Sequence, residues 1–545
     1  MSITDWIIIL LFLGGLIAIG FAFSKKNKDL KDYFLAGKSM PTWLVVFAAT
    51  GTSISAGTFV GSPELGFNTN LTFIMSCVGA VIGGVVVAAL FLPKLYNSRT
   101  ITIYGYIGDR FGETSKRATS VMFILGQLFT SGSRLFIAAI AVSVIIFGSI
   151  HFRFLMYSII ILGIVSTIYT MAGGIKGLLY IDAIQIMLVI GSGLVALIIV
   201  FLALHDTMSL SEIFASLQNG MVKAPAQPEY AMAADGTLSG WIPGSKIQLV
   251  DPRFRFDVPY NLIGALGAYA FFKVAQFSTD HEFVQRQLTA AALHRETGVC
   301  AAKAGVSLVW SQLLAIPIVL IFLLIGTLLY VRYINDPASA VGAGVFTDAR
   351  DIFPQFICNS IPAGVRGLMV VGLLAAALSS FNSAINAMAS SFVSDLYLPI
   401  RKSRGKAISG DADQMAASRK MVVLMGVLLT SFAIVTAVMQ QTSGLNLVDF
   451  ATGVMCFSYA GMMGVFITAL FTKRGNTRSV IAALVLGLLT VLFLQPYIFG
   501  PVTEALFGRE LFLAWPWWCP IGVSVSLLVC LSGKSDPKTN PQAII

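Results

Sequence analysis

The sequence predicts an all-α integral membrane protein with many spans, on three observations. Of its 545 residues, 56% are hydrophobic and only 11% are charged, where a soluble domain carries about 25% charge. The apolar residues arrive in runs of about 20, enough at 1.5 Å rise per residue to cross a hydrocarbon core of roughly 30 Å. Lys and Arg gather in alternate connections between the runs, the topology signature of membrane insertion. One water-soluble core could not hide so much apolar surface, because such cores stop growing beyond roughly 250–300 residues.

About thirteen spans are expected. They lie near 5–24, 41–65, 71–96, 118–148, 153–173, 181–204, 258–279, 299–332, 363–396, 420–440, 446–472, 478–498 and 511–532. The first, 6–23, is expected to be a retained span. No basic region precedes it, it is too long for a leader's apolar stretch, and Lys25 and Lys26 follow it. Abundant Gly (50) and Phe (39) suit close helix packing and lipid contact.

Basic residues follow the first span (Lys25, Lys26, Lys28, Lys31), the third (Lys94, Arg99, Arg110, Lys116, Arg117), the ninth (Arg401, Lys402, Arg404, Lys406) and the eleventh (Lys473, Arg474, Arg478). An odd count puts all four loops on one side, cytoplasmic by the positive-inside rule, with the N-terminus outside and the C-terminus inside. The formal charge of +10 is then an orientation device, and no nucleic-acid partner is expected. Two longer polar segments, 205–257 and 333–362, fall outside. The first, with Pro225, Pro228, Pro243 and Pro252, suits an ordered external loop or lid. No soluble catalytic domain is expected, and the tail after Gly533 is short and polar.

Cysteine and histidine carry no metal pattern. Cys77, Cys300, Cys358, Cys456, Cys519 and Cys530 have no CxxC spacing and read as buried free thiols. His151, His205, His281 and His294 are dispersed.

Chemistry enters at the second span, whose centre reads Ala49-Thr50-Gly51-Thr52-Ser53-Ile54-Ser55-Ala56-Gly57-Thr58. Two glycines and five hydroxyl residues make a poor continuous helix, and backbone freed at that depth must line a protein-enclosed cavity. Broken helices of this kind hold ions and substrates at the midplane of transporters. A small-residue packing seam is the alternative. On the ninth span, Ser379, Asn382 and Ser383 share a face by the i, i+3, i+4 rule. Hydroxyl and carbonyl oxygens are hard ligands suited to an alkali cation; helix–helix hydrogen bonding is the bland reading. Arg134, Asp182 and Lys273 sit in apolar stretches, where each charge costs about 2.5–3.5 kcal/mol at mid-span, so each is a functional candidate. Snorkelling to the interface remains open for Asp182 and Lys273.

These residues carry a likeness. The chain resembles the sodium/solute symporter family, most closely its bacterial sialic acid transporter branch, over nearly all the spans. The resemblance rests on Asp32-Tyr33-Phe34-Leu35-Ala36-Gly37, Ser53-Ile54-Ser55-Ala56 with Phe59-Val60-Gly61, Gly173-Gly174 with Asp182 and Gln185, Gln285-Arg286, and the Ser379-Ser380 helix. It implies the leucine-transporter fold, a 5+5 inverted repeat within about thirteen transmembrane helices. The implied layout is a peripheral first helix and cytoplasmic loop (1–40), one repeat (41–204), an extracellular loop (205–257), the inverted copy (258–472) and two peripheral helices with a cytoplasmic tail (473–545).

The resemblance further implies sodium between the second and ninth spans, held by the carbonyls of Gly51, Ile54 and Ala376 and the hydroxyls of Ser379 and Ser380. A second sodium would lie near Asp182 with Asn382 and Ser383, Asn382 standing where the family has serine. For substrate, Ser55, Thr58 and Arg134 match the carboxylate-holding positions of the sialic acid branch, and a guanidinium fork suits a carboxylate. Phe73 and Gln276 would wall the pocket. Two positions depart: a sugar-binding glutamine stands as Cys77, and an asparagine as Lys273. Gly57 and Thr58 replace the galactose transporters' Glu and Gln, against a neutral hexose.

The resulting expectation is a monomeric multi-pass protein of the bacterial cytoplasmic membrane. It imports a small anion, a sialic acid or related sugar acid, with sodium by alternating access, and it is not an enzyme. The rivals are a symporter of another carboxylate or a neutral solute, proton coupling through Asp182, and a substrate sensor on the same fold.

Overall fold

The computed structural model describes residues 1–24, 29–96, 101–224, 231–232, 236–290, 299–346, 348–405, 410–443 and 447–534. The basic-loop residues Lys25, Lys26, Lys28, Arg99 and Lys406, and His294, lie outside them.

Nearly every apolar run is helical. The first half contains α1 (Ile3–Ser24), α2 (Thr42–Ser53), α3 (Gly57–Asn68), α4 (Ile74–Leu90), α5 (Glu113–Phe147) and α6 (Phe152–His205). The second contains α7 (Ala270–Thr279), α8 (His281–Leu288), α9 (Val299–Ile334), α10 (Ile352–Ser360), α11 (Val365–Ser391), α12 (Asp411–Ser443) and α13 (Leu447–Phe471). After these come α14 (Thr477–Phe493), α15 (Pro496–Phe507) and α16 (Trp518–Ser532). Among the described residues, eight helices are long and apolar enough to cross a membrane, or ten if each of two bent pairs is one span.

Three departures from the expected spans have local causes. Spans five and six are two helices that meet at a kink with no connecting loop, together labelled α6. Gly174 (φ 59°, ψ −174°) makes the kink, in a region of backbone space open essentially to glycine alone. Residues 175–180, expected as a loop, belong to the second of these helices. The seventh span starts a few residues late, because residues 256–261 turn and Asn261 accepts the Gly264 N–H (2.8 Å) to cap a helix that begins at Leu262, with a π-helical stretch over Gly264–Tyr269 ahead of α7. The twelfth span ends at a 72° bend between α14 and α15, where Pro496 cannot continue the ladder.

The charge pattern has a counterpart in contacts. From the third-span loop, Lys94 donates to Leu470 O (2.7 Å) and Arg110 to Thr472 O (3.0 Å), at the end of α13, while Lys116 lies 3.5 Å from Asp395 beyond α11. Three basic connections thus meet at one end of the bundle. At the start of α13, Tyr260 and Trp515 both donate to Asp449, joining the starts of the seventh, eleventh and thirteenth runs.

The segment 205–257 is ordered where described. Leu210–Gln218 is a helix closed by a Ser209/Glu212 capping box, and Met221–Lys223 pairs antiparallel with Trp241–Pro243, as Ala231–Met232 does with Leu238–Ser239. Lys246 pins it down. Its buried ammonium donates to Phe67 O and to Thr69 O (3.0 Å) at the end of α3, against the Tyr330 ring.

Helices α5, α11 and α13 are buried nearly throughout, whereas α1 is largely exposed and packs on α6 and α11. One of the closest backbone approaches is α3 on α9. A Cβ on Gly326 would sit 2.1 Å from Pro63 O, and one on Gly66 would sit 2.4 Å from Leu323 O. Both glycines must stay bare, since the obstacle is backbone. Gly326→Ala is therefore expected to destabilise by about 1–3 kcal/mol, the usual penalty of overpacking. Gly14→Ala, where nothing lies within 4 Å, is the silent control. Thermal unfolding of both in detergent, with sodium present, checks this.

Candidate functional site

The second span is broken, as its composition predicts. Its halves, α2 and α3, meet at 57°. The α2 ladder ends with Ile54 N–H on Thr50 O (2.8 Å) and restarts with Thr58 and Phe59 N–H both on Ser55 O (2.9 and 3.2 Å). Thr58 N–H thus serves Ser55 rather than Ile54, and Gly57 N–H goes to the Ser55 hydroxyl (3.2 Å). A turn of backbone oxygen is left facing the protein interior at the depth where lipid offers no partner.

Helix α11 closes on this break with its hydroxyl face. A Cβ at Gly51 would meet Ser379 Oγ at 3.2 Å and Asp182 O at 3.3 Å, so the two serine-bearing helices and α6 converge there. Ser379 Oγ donates to Asp182 Oδ1 (2.8 Å). Ser380 Oγ and both side-chain polar atoms of Asn382 are fully buried and find no hydrogen-bond partner among the described residues. Buried oxygen without a donor is costly unless something positive fills the gap. A small hard cation meets that need, and the oxygen-only donor set suits an alkali ion. Of the other expected ligands, Ile54 caps the end of α2 and Ala376 lies one turn before Ser380 on α11.

Asp182 is not at an interface. It is fully buried, and the Arg286 guanidinium of α8 bonds its Oδ2 (2.8 Å) while also touching the Ser383 hydroxyl. Arg286 thereby occupies the space between two of the three residues expected to hold a second sodium. Sequence reading noted Gln285-Arg286 only as part of the likeness; an arginine seven residues beyond an apolar run gave no sign of reaching back to α6.

All six expected substrate residues meet. Ser55, Thr58, Phe73, Arg134, Lys273 and Gln276 line one cavity of about 80 Å³, completed by Ser53, Tyr269, Phe283 and by Val448, Ala451, Thr452 and Met455 of α13. Ser55 already accepts from Gly57 N–H, so its own proton is free to donate to a ligand. Phe73 packs edge-on against Tyr260 (5.0 Å between ring centres). Gln276 accepts from Lys273 (2.7 Å) and turns its amide to Met455 Sδ and Tyr459 Oη. Cys77 is buried and Cys456, Cys519 and Cys530 are too, while Cys358 is half-buried; all five are free thiols.

Arg134 is 6% exposed, and its NH1 stands 3.7 Å from Glu282 Oε1. That is too far for a hydrogen bond, and neither atom finds another partner among the described residues. Behind Glu282, the Gln127 amide bridges to Asp280 (2.8 Å) and Glu282 (3.2 Å), and Tyr459 donates to Asp280 (2.5 Å). This acid pair is missed in the sequence because Asp280-His281-Glu282 lies just past the expected end of the seventh span at 279. The charged triplet against an apolar run was the available signal.

A broken helix facing a hydroxyl-bearing one, with a charged pocket at the break, defines an ion-coupled membrane transporter of the leucine-transporter fold, not an enzyme. The chain belongs to the sodium:solute symporter family, which it matches over residues 33–487. It is 26% identical over 481 residues to the sodium/sialic acid symporter SiaT of Proteus mirabilis, covering 88% of this chain and 87% of that protein. It is 23% identical over 492 residues to the sodium/sialic acid symporter NanT of Aliivibrio fischeri, covering 90% and 87%. Among solved structures it superimposes on a substrate-bound, outward-open sodium-coupled sialic acid symporter with a TM-score of 0.73, at 20% identity and 97% coverage of both chains. A nucleobase-cation-symport-1 family transporter in a closed conformation matches with a TM-score of 0.55, at 12% identity and 94% and 97% coverage. The protein is therefore a multi-pass, sodium-coupled symporter of a small solute.

The Asp182–Arg286 pair sets a stability expectation. Removing one member of a fully buried pair leaves an uncompensated charge, costing about 3–5 kcal/mol. Arg286→Gln should lower the unfolding temperature sharply, and Asp182→Asn with Arg286→Gln should recover much of the loss. A double-mutant cycle by thermal unfolding in detergent reads this; additive losses would show that the pair is not coupled.

Proposed function

We propose that this chain imports a small organic anion, a sialic acid or a related sugar acid, together with sodium across the bacterial cytoplasmic membrane. The observation that carries the reading is the shared wall between two sites. Ser55, Thr58 and Arg134 line the cavity, and the break that carries Ser55 and Thr58 also exposes the oxygens facing Ser379 and Ser380. An ion bound at the gap fixes the break, and the fixed break holds the anion-binding hydroxyls in place. Binding of one then favours binding of the other, which is the coupling a symporter needs.

In this reading sodium is bound by the carbonyls of Gly51, Ile54 and Ala376 with the hydroxyls of Ser379 and Ser380. Asp182, Asn382 and Ser383 form a second ion position that Arg286 fills in the present state, so the second ion and the guanidinium exchange on Asp182. Arg134 takes the substrate carboxylate through its fork, aided by the Ser55 and Thr58 hydroxyls, while Glu282 is its standby counter-ion when the pocket is empty. Two repeats, 41–204 and 258–472, rock against each other around this point. The end at which the basic connections meet faces the cytoplasm, with the N-terminus outside and the C-terminus inside. The protein works as a monomer.

Uptake into proteoliposomes tests this. Sodium directed inward should drive accumulation of a labelled sialic acid, and choline at fixed pH should not. Ser379→Ala combined with Ser380→Ala should abolish sodium-driven uptake and the sodium-dependent rise in unfolding temperature. Arg134→Gln should weaken anion binding by a factor of about 10–100, the value of a charge-assisted contact of about 1.5–3 kcal/mol, while leaving the sodium response. Stabilisation by a neutral hexose in preference to any carboxylate would overturn the anion assignment.

A further inference from the structure

The cavity contains two cations on separate helices, Arg134 on α5 and Lys273 on α7. Arg134 has Glu282 standing by at 3.7 Å. Lys273 has no carboxylate within ion-pair range among the described residues. Its one hydrogen bond goes to the neutral Gln276 amide oxygen (2.7 Å), and its ammonium lies 5.3–5.5 Å from the ring centres of Tyr269, Phe272 and Phe277. An ammonium has three donors; here one is used. Aromatic faces and an amide keep such a cation in place without neutralising it, and Lys273 points into the same wall as the anion-binding residues. The backbone leaves it little freedom to withdraw, since its Cβ already lies against α4, 2.9 Å from where a Cβ on Gly83 would be.

We propose that the substrate is a dicarboxylate: one carboxylate docks on Arg134 with Ser55 and Thr58, and the second on Lys273 beside Gln276. This rests on the anion reading above and narrows it, placing sugar diacids and short dicarboxylic acids ahead of a monoacid such as a sialic acid. Lys273 is then the residue that sets specificity, because a monoacid leaves its charge unanswered.

Thermal-shift titration and counterflow uptake with the intact protein in sodium test this. The probes are succinate, glutarate and a six-carbon sugar diacid, each against its monomethyl ester, with a sialic acid alongside. Wild type should half-saturate with at least one diacid at about tenfold lower concentration than with its monoester. Lys273→Gln should bring the two within about twofold, and Lys273→Arg should keep the preference. A normal sodium-dependent shift certifies that each variant is folded. Equal response to diacid and monoester in wild type, preference for a sialic acid over every diacid, or a diacid preference that survives Lys273→Gln would overturn the proposal while leaving the anion reading intact. If no carboxylate of either charge binds or accumulates, the anion reading has failed and this inference falls with it.

Discussion

Everything at the centre of this molecule follows from one constraint: backbone polar groups inside a membrane must be answered by the protein itself. The interruption between α2 and α3 releases carbonyls from their ladder. They cannot be left to lipid, so helices must gather around them. Ser379 from α11, Asp182 from α6 and the bare α-carbon of Gly51 meet at this point. The burial of α11 along nearly its full length is the packing consequence.

In the proposed reading the same break joins ion and substrate chemistry. Gly51 and Ile54 lie on its α2 side, Ser55 and Thr58 a turn away on its other side, so one local unwinding presents oxygen in two directions. Charges in this region come in partnered sets. Arg286 answers Asp182, Glu282 stands opposite Arg134, and Asp280 is answered by Gln127 and Tyr459. Two of these contacts are bonded and the Arg134–Glu282 pair is held just apart. That difference separates charges built into the scaffold from charges left available to a ligand. Lys273, with only an amide for company, belongs to the second group.

The segment 205–257 shows a different way of building on such a bundle. Its short strands and capped helix are moored by a buried lysine to carbonyls at the end of α3 and by the Met221 N–H to the Tyr330 hydroxyl. A long-range link of this kind ties the segment to the half-helix that forms one wall of the site.

The membrane class, the helical runs, the break in the second span and the six pocket residues were legible in the sequence. Most of these signals are local: hydropathy over about 20 residues, hydroxyls and glycines where a helix should be, and charge where none is affordable, whereas Ser55, Thr58, Phe73 and Gln276 were assigned to the pocket through the family likeness. The hydroxyl face of α11 was also readable, through helical spacing for Ser379, Asn382 and Ser383 and through the family likeness for Ser380. What tertiary structure decided is pairing. That Arg286 reaches Asp182 across 104 positions, that Glu282 and not Asp280 faces Arg134, and that α6 needs no loop at Gly174 depend on which helices touch and at what height. A sequence lists which charges must be neutralised in a low-dielectric interior, but only packing determines which partner does it.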